Sequence, residues 1–146
     1  IEMKKEKIIT IYPTVIKDGV AISHYMPPDP VMFKKQFPSK GSFYLTALMY
    51  FDSGKRYMTE LNVLFDGKSV LPDEKQEGDA METFMFVHID SSSVLAGVSL
   101  EVIDINLEKP GTYDIILKIF EDIDGKTGEL LDEKTSSLIA TTPMRV

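Results

Sequence analysis

The sequence predicts an all-β domain, and more specifically an antiparallel β-sandwich of about seven to nine strands. Apolar and polar residues alternate with a period of two in several segments, which is the pattern of strands with one buried face. Turns rich in Gly, Pro and Asp separate these segments, and no segment longer than about ten residues has helical apolar spacing. With 146 residues, the chain is expected to form a single domain over residues 1–146.

The clearest strand lies at residues 110–122. Pro110 and Gly111 begin it, and Asp124 with Gly125 turns it, because these residue types suit the dihedral angles of turns. The apolar alternation within this strand predicts a buried face consisting of Tyr113, Ile115, Leu117 and Ile119.

The chain begins with a β-branched run at residues 8–16, and Pro13 marks this run as an edge strand or a bulged strand. An Asp-Gly turn then predicts a hairpin whose second strand lies at residues 20–25. The prolines of residues 26–30 hold the next connection extended on the surface. Residues 31–38 have no clear pattern, although one helical turn would bring their two phenylalanines to the same side.

The middle of the chain contains the strongest alternation, at residues 43–51, which predicts a central strand. A turn leads from it into a second strand at residues 57–65. Residues 72–80 are acidic and lack an apolar anchor, so they are expected to form a mobile loop. Residues 81–90 carry apolar side chains in both phases, which predicts a strand that is partly buried on both faces.

The later strands are predicted to contain a bulge and to end with an edge strand. The alternation that includes Val98 and Val102 changes phase at Ile103, which predicts a β-bulge that re-aims the side chains. The last strand, at residues 129–140, is polar enough to lie at an edge. Its charged residues would discourage pairing with another chain, and they are Asp132, Glu133 and Lys134.

The segment Glu-Lys-Pro-Gly-Thr-Tyr-Asp-Ile at residues 108–115, followed by a hairpin, resembles the G-x-Y start of the penultimate strand in immunoglobulin-like sandwiches. The resemblance covers residues 108–140. It implies an immunoglobulin-like fold in which the Tyr113 hydroxyl bonds back to nearby backbone. The chain has no Cys pair and no Trp, so it does not resemble antibody-type domains. Its layout is also similar to uncharacterised bacterial sandwich proteins, and a shared fold does not imply a function.

The formal net charge is -7, and it is unevenly distributed along the chain. Residues 1–60 carry nine Lys/Arg against six Asp/Glu, whereas residues 61–146 carry seven against seventeen. Nucleic acid is not expected as a partner, because binding to its backbone requires a continuous basic surface.

Membrane insertion is not expected, because no apolar run approaches the ~18 residues needed to cross a bilayer. The absence of Cys excludes disulfides and slightly favours the cytoplasm. The compartment stays open, because a chain that begins at Ile1 could have lost an upstream signal segment.

Residues for catalysis and metal binding are few. The two histidines, His24 and His88, lie on separate predicted strands and are read as ordinary strand residues. The acidic turn at residues 122–129 could supply calcium ligands, but Lys126 breaks the EF-hand pattern and a hairpin turn explains the same residues. Nucleophile and phosphate-binding motifs are absent. We therefore expect no metal, no cofactor and no catalysis. A hydrolase that uses paired carboxylates ranks third among the functions considered, after the two binding functions described next.

The proline-rich region at residues 25–38 is the candidate binding surface, because a stiffened loop loses little entropy on binding and because Met and aromatic residues are enriched at contacts. The alternative is that its apolar residues close one end of the core. We expect a non-catalytic binding or structural module that contacts another protein, with a carbohydrate- or calcium-binding module as the runner-up. An edge strand also allows a homo-oligomer. The candidate binding residues are Tyr25, Met32, Phe33, Lys34, Lys35 and Phe37.

Overall fold

The computed structural model of the protein describes residues 6–17, 26–72 and 81–143, and within these ranges it contains nine strands and no helix. The predicted strand at residues 20–25 and the acidic loop from residue 73 to residue 80 lie outside the described residues. The strands, in chain order, are β1 (Lys7–Val15), β2 (Val31–Phe33), β3 (Ser39–Asp52), β4 (Tyr57–Phe65), β5 (Lys68–Ser69), β6 (Met81–His88), β7 (Ser93–Leu107), β8 (Gly111–Ile123) and β9 (Lys126–Thr141).

The nine strands form two sheets that pack face to face, which confirms the predicted all-β sandwich. Sheet A has the order β1-β3-β7-β6, and sheet B has the order β2-β9-β8-β4-β5. The prediction of purely antiparallel pairing is wrong at one place, because β2 runs parallel to β9. No helix in the described ranges is long and apolar enough to cross a membrane.

The core lies between the two sheets and takes alternate residues from the long strands β3, β7 and β8, as the period-two pattern predicts. All four residues predicted for the buried face of β8 are at most 2% exposed. The predicted central strand is also confirmed, because β3 lies between β1 and β7. Its buried face carries Phe43, Leu45, Ala47 and Met49.

A bulge interrupts β7 at the predicted change of phase. Gly41 of β3 pairs with Ile105, whereas Phe43, two residues later, pairs with Val102. One extra residue of β7 is therefore accommodated, and Asp104 takes a positive φ of 55°. The bulge keeps Val102 and Ile105 in the core while Ile103 is exposed.

β6 is more exposed than the sequence indicates. The predicted partial burial holds for Phe84 and Met85, which are half-buried, but not for the end of the strand, since Phe86 is 60% exposed and Val87 is 43% exposed. The reason is its position as the last strand of sheet A, where only β7 supports it among the described strands.

Two charged side chains of β9, which were predicted only to discourage pairing with another chain, bind the backbone of β1. The Ile8 N–H of β1 donates to Asp132 Oδ2 at 2.7 Å, and Lys134 Nζ donates to the Ile9 carbonyl oxygen at 3.2 Å. β1 has a register shift between Ile8 and Thr10, which leaves these backbone groups unmatched by β3. The side chains of β9 therefore close one side of the sandwich by binding the backbone of β1.

Candidate functional site

The proline-rich connection at residues 26–30 is attached to β1. The Thr14 hydroxyl donates to the Pro27 carbonyl oxygen at 2.6 Å, and the Tyr12 hydroxyl donates to the Met26 carbonyl oxygen at 2.7 Å. The Asp29 N–H donates to Pro13, and the Asp29 carbonyl oxygen accepts from Val15, each at 3.0 Å. These bonds hold the connection extended beside sheet A.

The chain then crosses to sheet B and forms β2. The Pro30 carbonyl oxygen accepts from Ile139 N–H at 2.7 Å, and Lys34 N–H donates to the Thr141 carbonyl oxygen at 2.9 Å. Both bonds are made to β9. Because alternate residues of a strand bond to the same neighbour, Met32, which lies between Pro30 and Lys34, also bonds to β9. The backbone groups of Val31 and Phe33 consequently face away from β9 and form the outer edge of sheet B.

The structure divides the predicted binding residues between core and surface. Met32 is 1% exposed and belongs to the core, whereas Phe33 is 58% exposed. Successive residues of a strand point to opposite faces, which explains this contrast. Phe37 is half-buried against the core. The helical turn considered for residues 31–38 does not form, because residues 31–33 are a strand and residues 34–38 contain no helix. Tyr25 lies outside the described residues.

A groove of about 350 Å³ lies beside β2 and the end of β1. It is partly open to solvent, and Phe33, which is 58% exposed, contributes to its lining. The residues that line it are Val15, Ile16, Lys17, Val31, Met32, Phe33, Lys34 and Ser42.

The charges around this groove are mainly basic. Lys17 forms an ion pair with Asp29, with 2.8 Å between Nζ and Oδ2. Lys34 is half-buried and Lys35 is exposed, and neither ammonium group has an ion-pair partner among the described residues. These two side chains are therefore available to an anionic group. We define the β2 surface as Phe33, Lys34, Lys35 and the adjoining groove.

One buried carboxylate lies elsewhere, at the start of β1. Glu6 is 8% exposed, its Oε1 accepts from the Tyr57 hydroxyl at 3.0 Å, and Lys55 Nζ is 3.8 Å away. The same hydroxyl accepts from Asp52 N–H at 3.0 Å. Burial, and to a smaller extent the charge of Glu6, raise the pKa of Tyr57 well above its ordinary value. This cluster was not predicted, because Glu6 lies 51 residues from Tyr57 in the sequence.

The acidic turn between β8 and β9 is a tight hairpin. Asp122 Oδ1 accepts from Gly125 N–H at 2.8 Å, so this carboxylate supports its own turn. Asp124 and Gly125 both have positive φ, at 52° and 82°, as a type I′ turn requires. Within the described ranges, no three His, Cys, Asp or Glu residues are grouped to hold a metal ion. His88 packs edge-on against Phe86, and His24 lies outside those ranges.

The outer face of sheet A carries several tyrosines. Tyr44 and Tyr50 of β3 project from this face, and Tyr12 of β1 lies opposite Thr46 on the same face. All three rings are half-buried, and Thr46 between them is 2% exposed. Burial raises the pKa of Tyr44, and the nearby carboxylates of Glu101 and Glu82 add to the effect.

Comparisons with protein-family models, curated proteins and solved structures found no match to this chain.

Proposed function

We propose that this chain is an immunoglobulin-like, non-catalytic module that binds another protein through the β2 surface. The observation that carries the proposal is the exposure of Phe33, at 58%, on a strand whose outer backbone edge borders a groove. Exposed aromatic rings beside unpaired strand edges are features of surfaces that bind peptides and proteins.

The strand order supports the immunoglobulin-like part of the proposal. In that fold, one sheet contains strands A, B, E and D and the other contains C, F and G. Here β1, β3, β7 and β6 would take the first set of positions, and β4, β8 and β9 would take the second. Tyr113 of β8 then falls near the start of strand F, where such domains carry a tyrosine that bonds to nearby backbone.

The backbone of β2 indicates how a partner would bind. The Val31 N–H already donates to Asp29 Oδ1 at 3.4 Å. An extended segment placed in the groove could bond to the Val31 carbonyl oxygen and to the outward backbone groups of Phe33, and so add a strand to sheet B. Its side chains would contact the Phe33 ring and the apolar wall formed by Val15 and Ile16. Strand addition of this kind draws affinity from the main chain and selectivity from the neighbouring side chains.

The charge of the β2 surface indicates which partners it favours. Lys34 and Lys35 form a basic site on a protein whose net charge is -7. Local charge of this kind selects partners and accelerates association more than it increases affinity. We therefore propose an acidic partner segment with at least one apolar side chain for contact with Phe33.

Affinity capture from an extract of the source cells tests the proposal. The wild-type protein is compared with Phe33→Ser and with a Lys34→Glu/Lys35→Glu variant, and captured proteins are quantified by mass spectrometry. Ile123→Ser is the matched control, because Ile123 is exposed to a similar degree, 53%, at the opposite end of β8 from Tyr113. A protein retained by the wild type and the control, but lost with both β2 variants, is the expected result. Retention by all four proteins would contradict the assignment.

A second candidate is carbohydrate binding at the outer face of sheet A. The observation that favours it is the group of tyrosines on that face, since sugar rings stack on flat aromatic surfaces. The tyrosine rings are half-buried and offer a sugar less contact area than fully exposed rings would, so carbohydrate binding ranks second. Titration with soluble oligosaccharides, followed by tyrosine fluorescence in the wild type and in Tyr44→Ala, separates this candidate from the first.

A further inference from the structure

β6 provides a second open edge, at the side of sheet A away from β1. In the part of the chain that the structure describes, β6 pairs with β7 alone. Three large apolar residues lie close together here, since Phe86 is 60%, Val87 is 43% and Ile89 is 54% exposed. Natural edge strands usually carry Pro, Lys or another charged residue that blocks pairing, and residues 85–89 contain none of these. Among the described residues, nothing therefore blocks strand addition at this part of the edge.

The hydrogen bonds of β6 show which of its backbone groups face outward. The Ile89 N–H donates to the Ser93 carbonyl oxygen at 2.9 Å, toward β7. Antiparallel strands bond through alternate residues, so Val87 also bonds toward β7. The N–H and C=O groups of Phe86 and His88 consequently point away from β7. An extended chain beside β6 could bond to both residues.

The side chains at this edge suit apolar partners on both faces. The rings of Phe86 and His88 lie on one face and meet edge-on, with centroids 5.5 Å apart. Val87 lies on the other face. A strand added here would place alternate side chains against the ring pair and against Val87, and thereby cover apolar surface that is now exposed.

The charged residues of β6 and β7 themselves are all acidic. Residues 81–108, which include β6 and β7, contain five Asp/Glu and no Lys or Arg. Glu82 precedes the apolar stretch and Asp90 follows it, so acidic groups lie toward both of its ends. A partner segment with basic ends would be attracted, and a partner with acidic ends would be repelled.

We infer that the β6 edge binds, by strand addition, an extended peptide segment with apolar residues at its centre and Lys or Arg at its ends. This surface is separate from the β2 surface, whose charges are basic and which favours an acidic partner. The inference therefore does not rest on the function proposed above, and either can fail without the other.

Two fluorescent peptides test the inference by anisotropy. Both have the same centre of alternating valine and threonine, and one is flanked by lysines whereas the other is flanked by glutamates. The lysine-flanked peptide is expected to bind at least about tenfold more tightly, with a difference that shrinks as salt screens the charges. Replacing Glu82 with Gln and Asp90 with Asn removes both charges while keeping the oxygen that accepts from Ser92 N–H, and should reduce the preference.

Backbone participation is tested by comparing His88→Pro with His88→Ala. Both variants remove the imidazole, but only proline removes the outward N–H, and proline is tolerated where a strand's N–H faces solvent. We expect His88→Pro to bind the lysine-flanked peptide at least about tenfold more weakly than His88→Ala. Phe86→Ser should also weaken binding, whereas Ile123→Ser should not. Circular dichroism and thermal melting establish that each variant is folded.

Three outcomes would overturn the inference. Equal affinity for the two peptides would exclude the charge argument, and equal binding by the two His88 variants would exclude strand addition. A dimer in analytical ultracentrifugation that His88→Pro dissociates would show that the edge binds a second copy of this chain instead of a basic peptide.

Discussion

The Tyr113 hydroxyl donates a hydrogen bond of 2.7 Å to the carbonyl oxygen of Lys109, four residues earlier. The ring of Tyr113 is fully buried and stacks on Phe65, with ring centroids 4.6 Å apart. This bond confirms that the hydroxyl returns to nearby backbone, as the G-x-Y resemblance implies. It fixes the turn before β8 to the strand that forms the centre of sheet B.

Removing this hydroxyl should destabilise the fold. We expect Tyr113→Phe to lower the free energy of unfolding by about 0.5–1.5 kcal/mol, because the ring stays packed while one hydrogen bond is lost. Urea denaturation of both proteins measures the change. Tyr50→Phe is the control, since the structure gives the Tyr50 hydroxyl no hydrogen-bond partner among the described residues. An unchanged midpoint for Tyr113→Phe would mean that this bond does not contribute to stability.

The neighbouring residues Met32 and Phe33 should respond very differently to truncation. Met32→Ala should cost about 2–5 kcal/mol, because it leaves a cavity in the core beside Gly41. Phe33→Ser should change the free energy of unfolding by no more than about 0.5 kcal/mol, because the ring is largely exposed. Chemical denaturation compares the two. Similar losses for both would contradict the alternation of β2.

The long strands could be predicted from the sequence, whereas β2 could not. In β3 and β8, enough residues alternate to define the buried face from local pattern alone. β2 has three residues, and its partner in β9 is more than one hundred residues away in the sequence. No local pattern contains that pairing, so Met32 and Phe33 could not be separated into core and surface.

The exposure of β6 escaped prediction for a different reason. Its apolar residues alternate in the same way as those of a covered strand, and the pattern does not indicate whether another strand lies alongside. Only the sheet order shows that β6 is an edge. The contact between Asp132 and Ile8 could not be predicted from the sequence either, because it joins residues 124 positions apart.

Asp132 should stabilise the side of the sandwich where β1 meets β9. Asp132→Ala removes the acceptor for the buried Ile8 N–H, so we expect a loss of about 1–3 kcal/mol and faster hydrogen exchange in β1. Asp132→Asn keeps an acceptor and should lose less. Glu133→Ala is the control, because Glu133 is exposed and its side chain makes no hydrogen bond to β1. Unchanged exchange at Ile8 in Asp132→Ala would contradict this role.

Alkaline pH should destabilise the protein through Tyr57. Burial and the Glu6 carboxylate raise the pKa of Tyr57 in the folded state above its ordinary value of 10.0. Below about pH 10 the hydroxyl is protonated in both states, so its contribution is complete there. As the pH rises further, the unfolded state loses this proton first, and stability falls until the folded hydroxyl also ionises.

The measurement is the urea midpoint at a series of pH values from about 8 upward. In Tyr57→Phe the alkaline loss should be smaller than in the wild type, while the stacking on Phe51 at 4.6 Å is kept. Tyr50→Phe again serves as the control. Identical alkaline slopes for the wild type and Tyr57→Phe would show that Tyr57 does not carry the effect.

The central claim, that the β2 surface binds a protein partner, is tested most directly by site-specific photocrosslinking. A benzoylphenylalanine is placed at position 33 in one protein and at position 123 in another, two positions of similar exposure. Each protein is irradiated in an extract of the source cells. The account predicts a discrete crosslinked product from position 33 that is absent from position 123 and disappears when Lys34 and Lys35 are changed to Glu. Products of equal yield from both positions, or a product at position 33 that survives the charge change, would contradict it.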